Sequence, residues 1–487
     1  MKAVLLIDFG STYTKVTAVD LDGECLLGTA ASYTTVQTDI NDGLENAVRD
    51  LEKQTGKLDF TARYACSSAA GGLRMVTSGL VPELTAEAAK TASLGAGAKI
   101  IKVYSFQLTE EDAEEIEKAK PDIVLLVGGT DGGNTECILH NARVISEIPG
   151  PFSVVVAGNR TVAKKCRELL EKTHSTFVCE NVMPRFGQLN IEPTQKQIRE
   201  IFLERIIQAK GLSRASSLIS GIMMPTPSAM MKAMQLLAEG CEGEKGIGEL
   251  LAVDVGGATT DIYTIAEGKP TKANTIFKGL PEPYVKRTVE GDIGMRYSIH
   301  GIVDACGIRK IAELSGIPEA KAQEMVDFLA EHTDVIPTDD EWERLDCALA
   351  SMAIETAVTR HVGKVEEAYT MLGVTFVQSG KDMTRGQQII VTGGSLIHTK
   401  NTAEIAAHAL FDPQNPTSLK PKRAKIRVDR RYILAAMGLL SEYYPQTALR
   451  IMKKELSDEG WQEAAGAPDS GETDFVPIMS SGCCSPV

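Results

Sequence analysis

Two short segments of this chain share one design. KAVLLIDFGSTYTKVTAVD runs from Lys2 to Asp20, and LLAVDVGGATTDIYTI from Leu250 to Ile265. In each, an apolar run ends in an aspartate, glycine and hydroxyl residues follow, and a second apolar run resumes a strand pattern. Each predicts a β-hairpin. Gly10 can take backbone angles that other residues avoid, and Ser11, Thr12 and Thr14 set small hydroxyls beside backbone N–H groups able to wrap phosphate oxygens. Asp8 at the strand end can hold Mg2+ through water, and Lys15 can meet a phosphate as a cation. One Asp-x-Gly turn alone is also ordinary hairpin chemistry. The repeat is what narrows the reading: Asp254 precedes Gly256, Gly257 and Ala258, then Thr259, Thr260 and Asp261. Two such hairpins can grip one polyphosphate from opposite sides, with Asp8 and Asp254 converging on a single hydrated metal. The chain holds no GxxxxGK[ST] phosphate loop and no GxGxxG after a strand, so the two commonest nucleotide fingerprints are excluded.

A third glycine turn lies in QIIVTGGSLI, Gln388 to Ile397, where a strand ends in Gly393 and Gly394 and a helix begins near Ser395. Paired glycines let backbone approach a ribose or adenine closely, although an ordinary strand-to-helix turn has the same look. Two helices rich in small residues complete the pattern. MPTPSAMMKAMQLLAEG (Met224 to Gly240) precedes the second hairpin, and RYILAAMGLLS (Arg431 to Ser441) carries Ala435, Ala436 and Gly438 at spacing suited to close helix contact. The methionines read as packing rather than ligands.

A chain of 487 residues exceeds one ordinary core, so at least two domains are expected. A formal charge of -14, with no basic cluster beyond Lys420 to Arg431, argues against nucleic acid as a partner. Met1 to Gly10 enters a strand at once, unlike a signal peptide, and no apolar run approaches the ~18 residues that span a bilayer. A cytoplasmic protein with no membrane partner is expected. Its ten cysteines are scattered except for Cys483 and Cys484, with no CxxC pair and no zinc spacing, which reads as reduced structural thiols.

The order of pieces resembles the actin, DnaK-type chaperone and sugar kinase superfamily. DFGSTYTK is similar to its first phosphate motif, PTPSAMMKAMQLLAEG to the first connecting helix, DVGGATTDI to the second phosphate motif, VTGGSLI to the adenosine motif and RRYILAAMGLL to the second connecting helix. Over residues 3 to 445, SGIMMPTPSAMMKA, VEGDIGMR and VLLVGGTDGGN further resemble the glutamate mutase accessory family, called MutL or GlmL and unrelated to the mismatch-repair protein of that name. The resemblance implies an α/β fold of duplicated actin-like, ribonuclease H-like lobes, with ATP and Mg2+ as cofactors. It implies Asp8 and Asp254 as metal organisers, with Thr259 beside them in catalysis. Phosphate contacts would come from Gly10 to Thr12, Thr14, Lys15, Gly256 to Thr259, Thr260 and Asp261, and adenosine contacts from Gly393, Gly394 and Ser395. DnaK-type chaperones carry Glu before the Pro-Thr of the first connecting helix. Met224 stands there in this chain, leaving Asp254, Thr259, Glu290 and Asp292 as candidates to orient the attacking water.

Between the first hairpin and the first connecting helix, strand and helix patterns alternate from Ile100 to Cys179, which predicts an inserted doubly wound parallel sheet. Its loops Gly128 to Asn134 and Gly158-Asn159 lie at strand ends. The segment reads as a partner module or as further elements of the first lobe. It lacks the DxHxxG motif of cobalamin-binding domains, so no bound cobalamin is expected. The expected division is a first lobe over 1–99 and 186–249, the insert over 100–185, the second lobe over 250–445 and an extension over 446–487, mobile at its end. Helices are expected over Thr194 to Lys210 and, with a break near Asp334 to Asp340, over Pro318 to Met371. By resemblance the protein is an ATPase that reactivates an adenosylcobalamin-dependent mutase or aminomutase. A small-metabolite kinase and a nucleotide-gated scaffold are the alternatives. An activator of hydroxyacyl-CoA dehydratases would need paired cysteines near the connecting helices, and none is present.

Overall fold

The computed structural model describes residues 2–10, 13–35, 40–67, 73–209, 222–336, 339–371, 373–386 and 388–464. β1 (Ala3–Phe9), β2 (Tyr13–Asp20) and β3 (Cys25–Tyr33) form an antiparallel meander, and β4 (Phe60–Ser67) returns parallel to β1 after the helix Ile40–Thr55. β1 is buried along its whole length, as expected of a central strand covered on both faces.

The chain then leaves for the insert. β5 (Arg74–Gly79), β6 (Lys99–Ser105), β7 (Ile123–Leu126), β8 (Ser153–Val156) and β9 (Thr176–Val178) are all parallel and lie in the order β6-β5-β7-β8-β9. Numbered within the insert this is 2-1-3-4-5, a doubly wound sheet with its switch between β5 and β7. The first strand of this sheet, β5, comes from upstream of residue 100, where the sequence reading began the insert. Arg74–Gly79 follows β4 closely in the chain, yet it pairs with β6 and β7 rather than with the first lobe. The insert has its own core of Val76, Val124, Val154, Ile138 and their neighbours.

The helix Glu192–Ala209 leads back to β10 (Ile222–Pro225), which pairs with β4 and completes the sheet β10-β4-β1-β2-β3. Met224 and Pro225 therefore end a strand, and the first connecting helix is Thr226–Glu239. After a two-residue hairpin, β11 (Gly240–Cys241) and β12 (Glu244–Lys245), the second lobe opens. β13 (Leu250–Val255), β14 (Thr260–Ile265) and β16 (Val285–Glu290) are antiparallel, and β19 (Gln388–Thr392) and β20 (Arg423–Val428) run parallel to β13. β15 (Thr275–Phe277), β17 (Lys364–Thr370) and β18 (Gly373–Ser379) make a separate three-stranded sheet. β21 (Ser457–Glu463) closes the edge of β20 and so joins the second lobe's sheet, the helix Pro445–Glu455 packs in the core shared by both lobes, and Cys483 and Cys484 lie outside the described residues. The sheet order is β16-β14-β13-β19-β20-β21, and its first five strands repeat the 3-2-1-4-5 order of the first sheet. The lobes are a structural duplication.

The helical stretch expected to reach Met371 ends at His361; Val362 and Gly363 break it, and the Val, Tyr and Thr of KVEEAYT pair with β18 instead. The two connecting helices, Thr226–Glu239 and Leu434–Leu440, cross tightly: a Cβ on Gly438 would lie 1.9 Å from the Ala229 carbonyl oxygen. Around them Met230, Met234 and Met437 join Val4 and Leu6 of the first lobe to Leu250 and Tyr263 of the second in one core. Among the described residues no helix is long and apolar enough to cross a membrane.

Candidate functional site

The two aspartate hairpins are equivalent in register. Asp8 faces Lys15 across β1 and β2, and Asp254 faces Asp261 across β13 and β14. The turns close with the same bond: the Gly10 N–H donates to the Tyr13 carbonyl at 3.1 Å, and the Gly256 N–H to the Thr259 carbonyl at 2.9 Å. A Cβ would lie 2.5 Å from Tyr13 O at Gly10 and 2.9 Å from Thr259 O at Gly256, so this close return excludes side chains. Gly257 and Ala258 are exposed at the second tip. Ser11 and Thr12, assigned to the first tip, lie outside the described residues.

Three of the assigned hydroxyl and carboxylate side chains have partners within the protein. Thr14 and Thr260 occupy matching positions and are both buried. Thr14 Oγ1 shares a hydrogen bond with Thr34 Oγ1 at 3.1 Å, and Thr260 Oγ1 donates to the Ile293 carbonyl at 3.0 Å, so both hydroxyls brace their hairpins. Asp261 is held by Arg287 at 2.6 Å, and Thr259 Oγ1 donates to it at 3.3 Å. A carboxylate there would repel a phosphate; its partner is the guanidinium.

Asp8 is buried and accepts a 2.5 Å hydrogen bond from Thr226 Oγ1, in the first turn of the first connecting helix. The Cys66 thiol lies 3.4 Å away on β4, and burial, with Asp8 beside it, keeps that thiol well above its ordinary pKa. Across the cleft, the Tyr432 hydroxyl donates to Asp254 at 3.2 Å and the Lys15 ammonium sits 3.0 Å from the Tyr432 ring centroid. Tyr432 takes a left-handed φ of 55°, unusual for a bulky residue and a mark of tertiary constraint. Beside it, buried Asp429 accepts from the N–H groups of Ile433 and Leu434 at 2.9 and 3.1 Å, capping the second connecting helix. Burial lowers the Lys15 pKa, against the pull of Asp8, Asp254 and Asp429. Burial, then repulsion from Asp261, pushes Asp254 up to about 7, and burial pushes Asp429 up to about 6. Lys15 thus lies within the field of carboxylates from both lobes. Sequence reading missed Thr226, Asp429 and Tyr432, although Thr226 and Tyr432 lie inside the motifs it singled out and Asp429 stands just before the last of them.

At the third motif the paired glycines divide their work. Gly393 has φ 109°, and its Cβ would meet the Val255 carbonyl oxygen at 2.3 Å, so it lets β19 pack on β13. A Cβ on exposed Gly394 would meet nothing within 4 Å, and Ser395 beside it is half-buried. Thr392, opposite Asp254 in the sheet, buries a hydroxyl that finds no partner among the described residues. Of the remaining carboxylates, Arg360 holds Glu290 at 2.8 Å and Asp292 at 2.9 Å. The donor set fits a Mg2+–nucleotide: two hairpin carboxylates with a lysine in their field, an open glycine tip, an orphaned hydroxyl and an open glycine face.

Duplicated 3-2-1-4-5 sheets, two crossing connecting helices and paired aspartate hairpins define a protein of the actin-like ATPase fold. The family model described as MutL protein matches residues 4–456, and the chain belongs to that family, the glutamate mutase accessory proteins. It is 48% identical over 459 residues to Protein MutL of Clostridium tetanomorphum, covering 94% of this chain and 99% of that one. Solved structures that resemble it include the activator of the 2-hydroxyisocaproyl-CoA dehydratase from Clostridium difficile with bound ADPNP, at TM-score 0.30 and 10% identity over 93% of this chain and 98% of that one. Diol dehydratase-reactivating factor in nucleotide-free form matches at TM-score 0.35 and 11% identity over 91% and 100% of the two chains. The ligand-bound xylulose kinase of Lactobacillus acidophilus matches at 0.37 and 12% over 95% and 94%.

Proposed function

We propose that this protein is a cytoplasmic ATPase that binds Mg2+–ATP between its lobes and uses lobe movement to free damaged cobalamin from an adenosylcobalamin-dependent mutase, glutamate mutase being the first candidate client. The observation that carries the ATPase half is the pair of equivalent hairpins, Asp8 and Asp254, gathered around Lys15 and Tyr432. The client half rests on family membership.

In this reading Asp8 and Asp254 hold a hydrated Mg2+, whose charge would offset that developing on the phosphate oxygens. Thr226 fixes the orientation of Asp8, and Tyr432 that of Asp254. Backbone N–H groups at the open tip, Gly257 and Ala258, cradle the phosphates, while those of Gly10 and Gly256 hold the turns in shape, and Gly394 and Ser395 floor the adenosine. Asp254 and Thr259 are the groups left to orient water, because Arg360 already engages Glu290 and Asp292. The same engagement weakens the kinase reading, which needs a carboxylate aimed at a substrate hydroxyl.

The insert is the proposed client module. Replacing it by a short linker while keeping the lobes should preserve hydrolysis and abolish reactivation. The test of the whole reading incubates purified protein, ATP and Mg2+ with glutamate mutase inactivated by cyanocobalamin. ATP-dependent release of the dead cofactor is expected. Hydrolysis with no release from this or the aminomutase clients would overturn the client half, and no hydrolysis would overturn both.

A further inference from the structure

The turn Leu94–Ala98, sequence LGAGA, lies where three parts of the molecule meet. It ends the helix Glu87–Gly95 and leads into β6, so it belongs to the insert. From the second lobe, Arg287 on β16 reaches across: its Nη1 donates to the Leu94 carbonyl at 3.1 Å and the Ala98 carbonyl at 3.4 Å. The same guanidinium holds Asp261 Oδ1 through Nε at 2.9 Å and Nη2 at 2.6 Å. From the first lobe, Ser228 Oγ donates to the Ala96 carbonyl at 3.3 Å, and a Cβ on Gly97 would sit 3.1 Å from Pro225 Cβ. Thr226, between Pro225 and Ser228, is the residue that holds Asp8. Both hairpins are therefore tied to one turn of the insert, Asp8 through the start of the connecting helix and Asp254 through its cross-strand partner Asp261.

Arg287 is 6% exposed, so its charge is balanced by these partners and not by water. Carbonyls at a helix C-terminus carry negative partial charge, which suits a cation. A residue serving only the second lobe would find its partners there, whereas half of this fork is spent on the insert. Beyond the Arg287 contacts, the helix and the second lobe share the walls of a cavity. It is a half-open cavity of about 540 Å³ with Lys90 and Thr91 on one wall and Lys286, Thr288 and Arg360 on the other. The helix has room to shift there, and the Arg287 bridge is its tie to the hairpin.

We propose that Arg287 is the positioning residue that couples the second-lobe hairpin to the inserted α/β segment, so that the segment follows the hairpins as nucleotide binds and leaves. This rests on the nucleotide reading above, and it adds the route by which nucleotide state reaches the insert. Arg287 touches no reacting atom; it acts through Asp261 and the Leu94–Ala98 turn.

The test uses the full chain and two variants, Arg287→Met and Arg287→Lys, with ATP affinity measured by calorimetry and amide exchange followed over residues 87–106 with and without Mg2+–ATP. In the wild type, nucleotide should slow exchange there by roughly 5-fold or more. Arg287→Met should lose that response while its ATP affinity stays within roughly 3-fold of wild type, well under a tenfold change. Arg287→Lys can keep charge against Asp261 without the fork to the carbonyls, so it should fold like wild type and retain a partial response. A full response in either well-folded variant, or none in a wild type that binds ATP, overturns the coupling. A wild type that takes up no nucleotide at all overturns the site reading beneath it.

Discussion

Lys15 of the first lobe and Tyr432 of the second connecting loop meet at 3.0 Å, ammonium to ring centroid, while the Tyr432 hydroxyl donates to Asp254 of the second lobe. One side chain thus orders a cation from one hairpin and a carboxylate from the other. Tyr432→Phe keeps the ring and removes the donor, so ATP turnover should fall by roughly 3- to 10-fold, in line with ~1 kcal/mol for one hydrogen bond. Tyr432→Ala should cost more, because Lys15 then loses its ring as well. Equal rates in both variants would remove Tyr432 from the site.

Replacing either hairpin aspartate separates activity from folding. Asp8→Ala and Asp254→Ala should lower Mg2+-dependent hydrolysis by roughly 100-fold or more. Asp254→Ala should leave the Tm unchanged or raise it, since a carboxyl pushed up to about 7 by burial is poorly accommodated as a charge. Asp8→Ala should lower the Tm slightly, because Thr226 loses its acceptor. Phosphate-release assays beside thermal melts check both.

The two glycines of the third motif should respond differently. Gly394→Val adds bulk over an open face, so it should weaken ATP binding by roughly 10-fold with the fold intact, read by calorimetry. Gly393→Val would drive its Cβ into the Val255 backbone and should destabilise the second lobe itself. Wild-type affinity in Gly394→Val would move the adenosine elsewhere.

At the helix crossing, Gly438→Ala places a methyl against the Ala229 carbonyl. Overpacking of this kind costs about 1–3 kcal/mol, so the denaturation midpoint should fall while Gly438→Ser does no better. A variant as stable as wild type would show that the connecting helices are free to separate.

Acid stability should depend on Glu355. Its burial would raise the carboxyl pKa, but hydrogen bonds from His408 and Lys310 outweigh that and lower it to about 2. A carboxyl whose pKa is lower in the folded state stabilises fully above its unfolded value near 4.5 and loses that contribution as pH falls from there to about 2. Glu355→Gln should therefore cost roughly 1–2 kcal/mol at pH 6, after allowance for partial exposure, and far less at pH 2.5. Urea titrations at the two pH values measure the difference.

What the sequence determined by itself is what local order encodes. Each aspartate hairpin is built from residues that touch across a few positions, so the alternation of apolar residues and the Asp-Gly-Thr turn were enough to predict two paired strands around Asp8 and Asp254, while their register came from the structure. The repetition of that hairpin was legible for the same reason, and with it the duplicated fold. The tertiary structure alone decided which side chains complete the site. Thr226 meets Asp8 across 218 residues, Arg287 meets Leu94 across 193, and Tyr432 meets Asp254 across 178. β5 likewise looks from its sequence like one more strand of the first lobe, and only pairing with β6 and β7 assigns it to the insert. Such contacts follow no period along the chain, because they exist only after the sheets have packed and the intervening loops have closed.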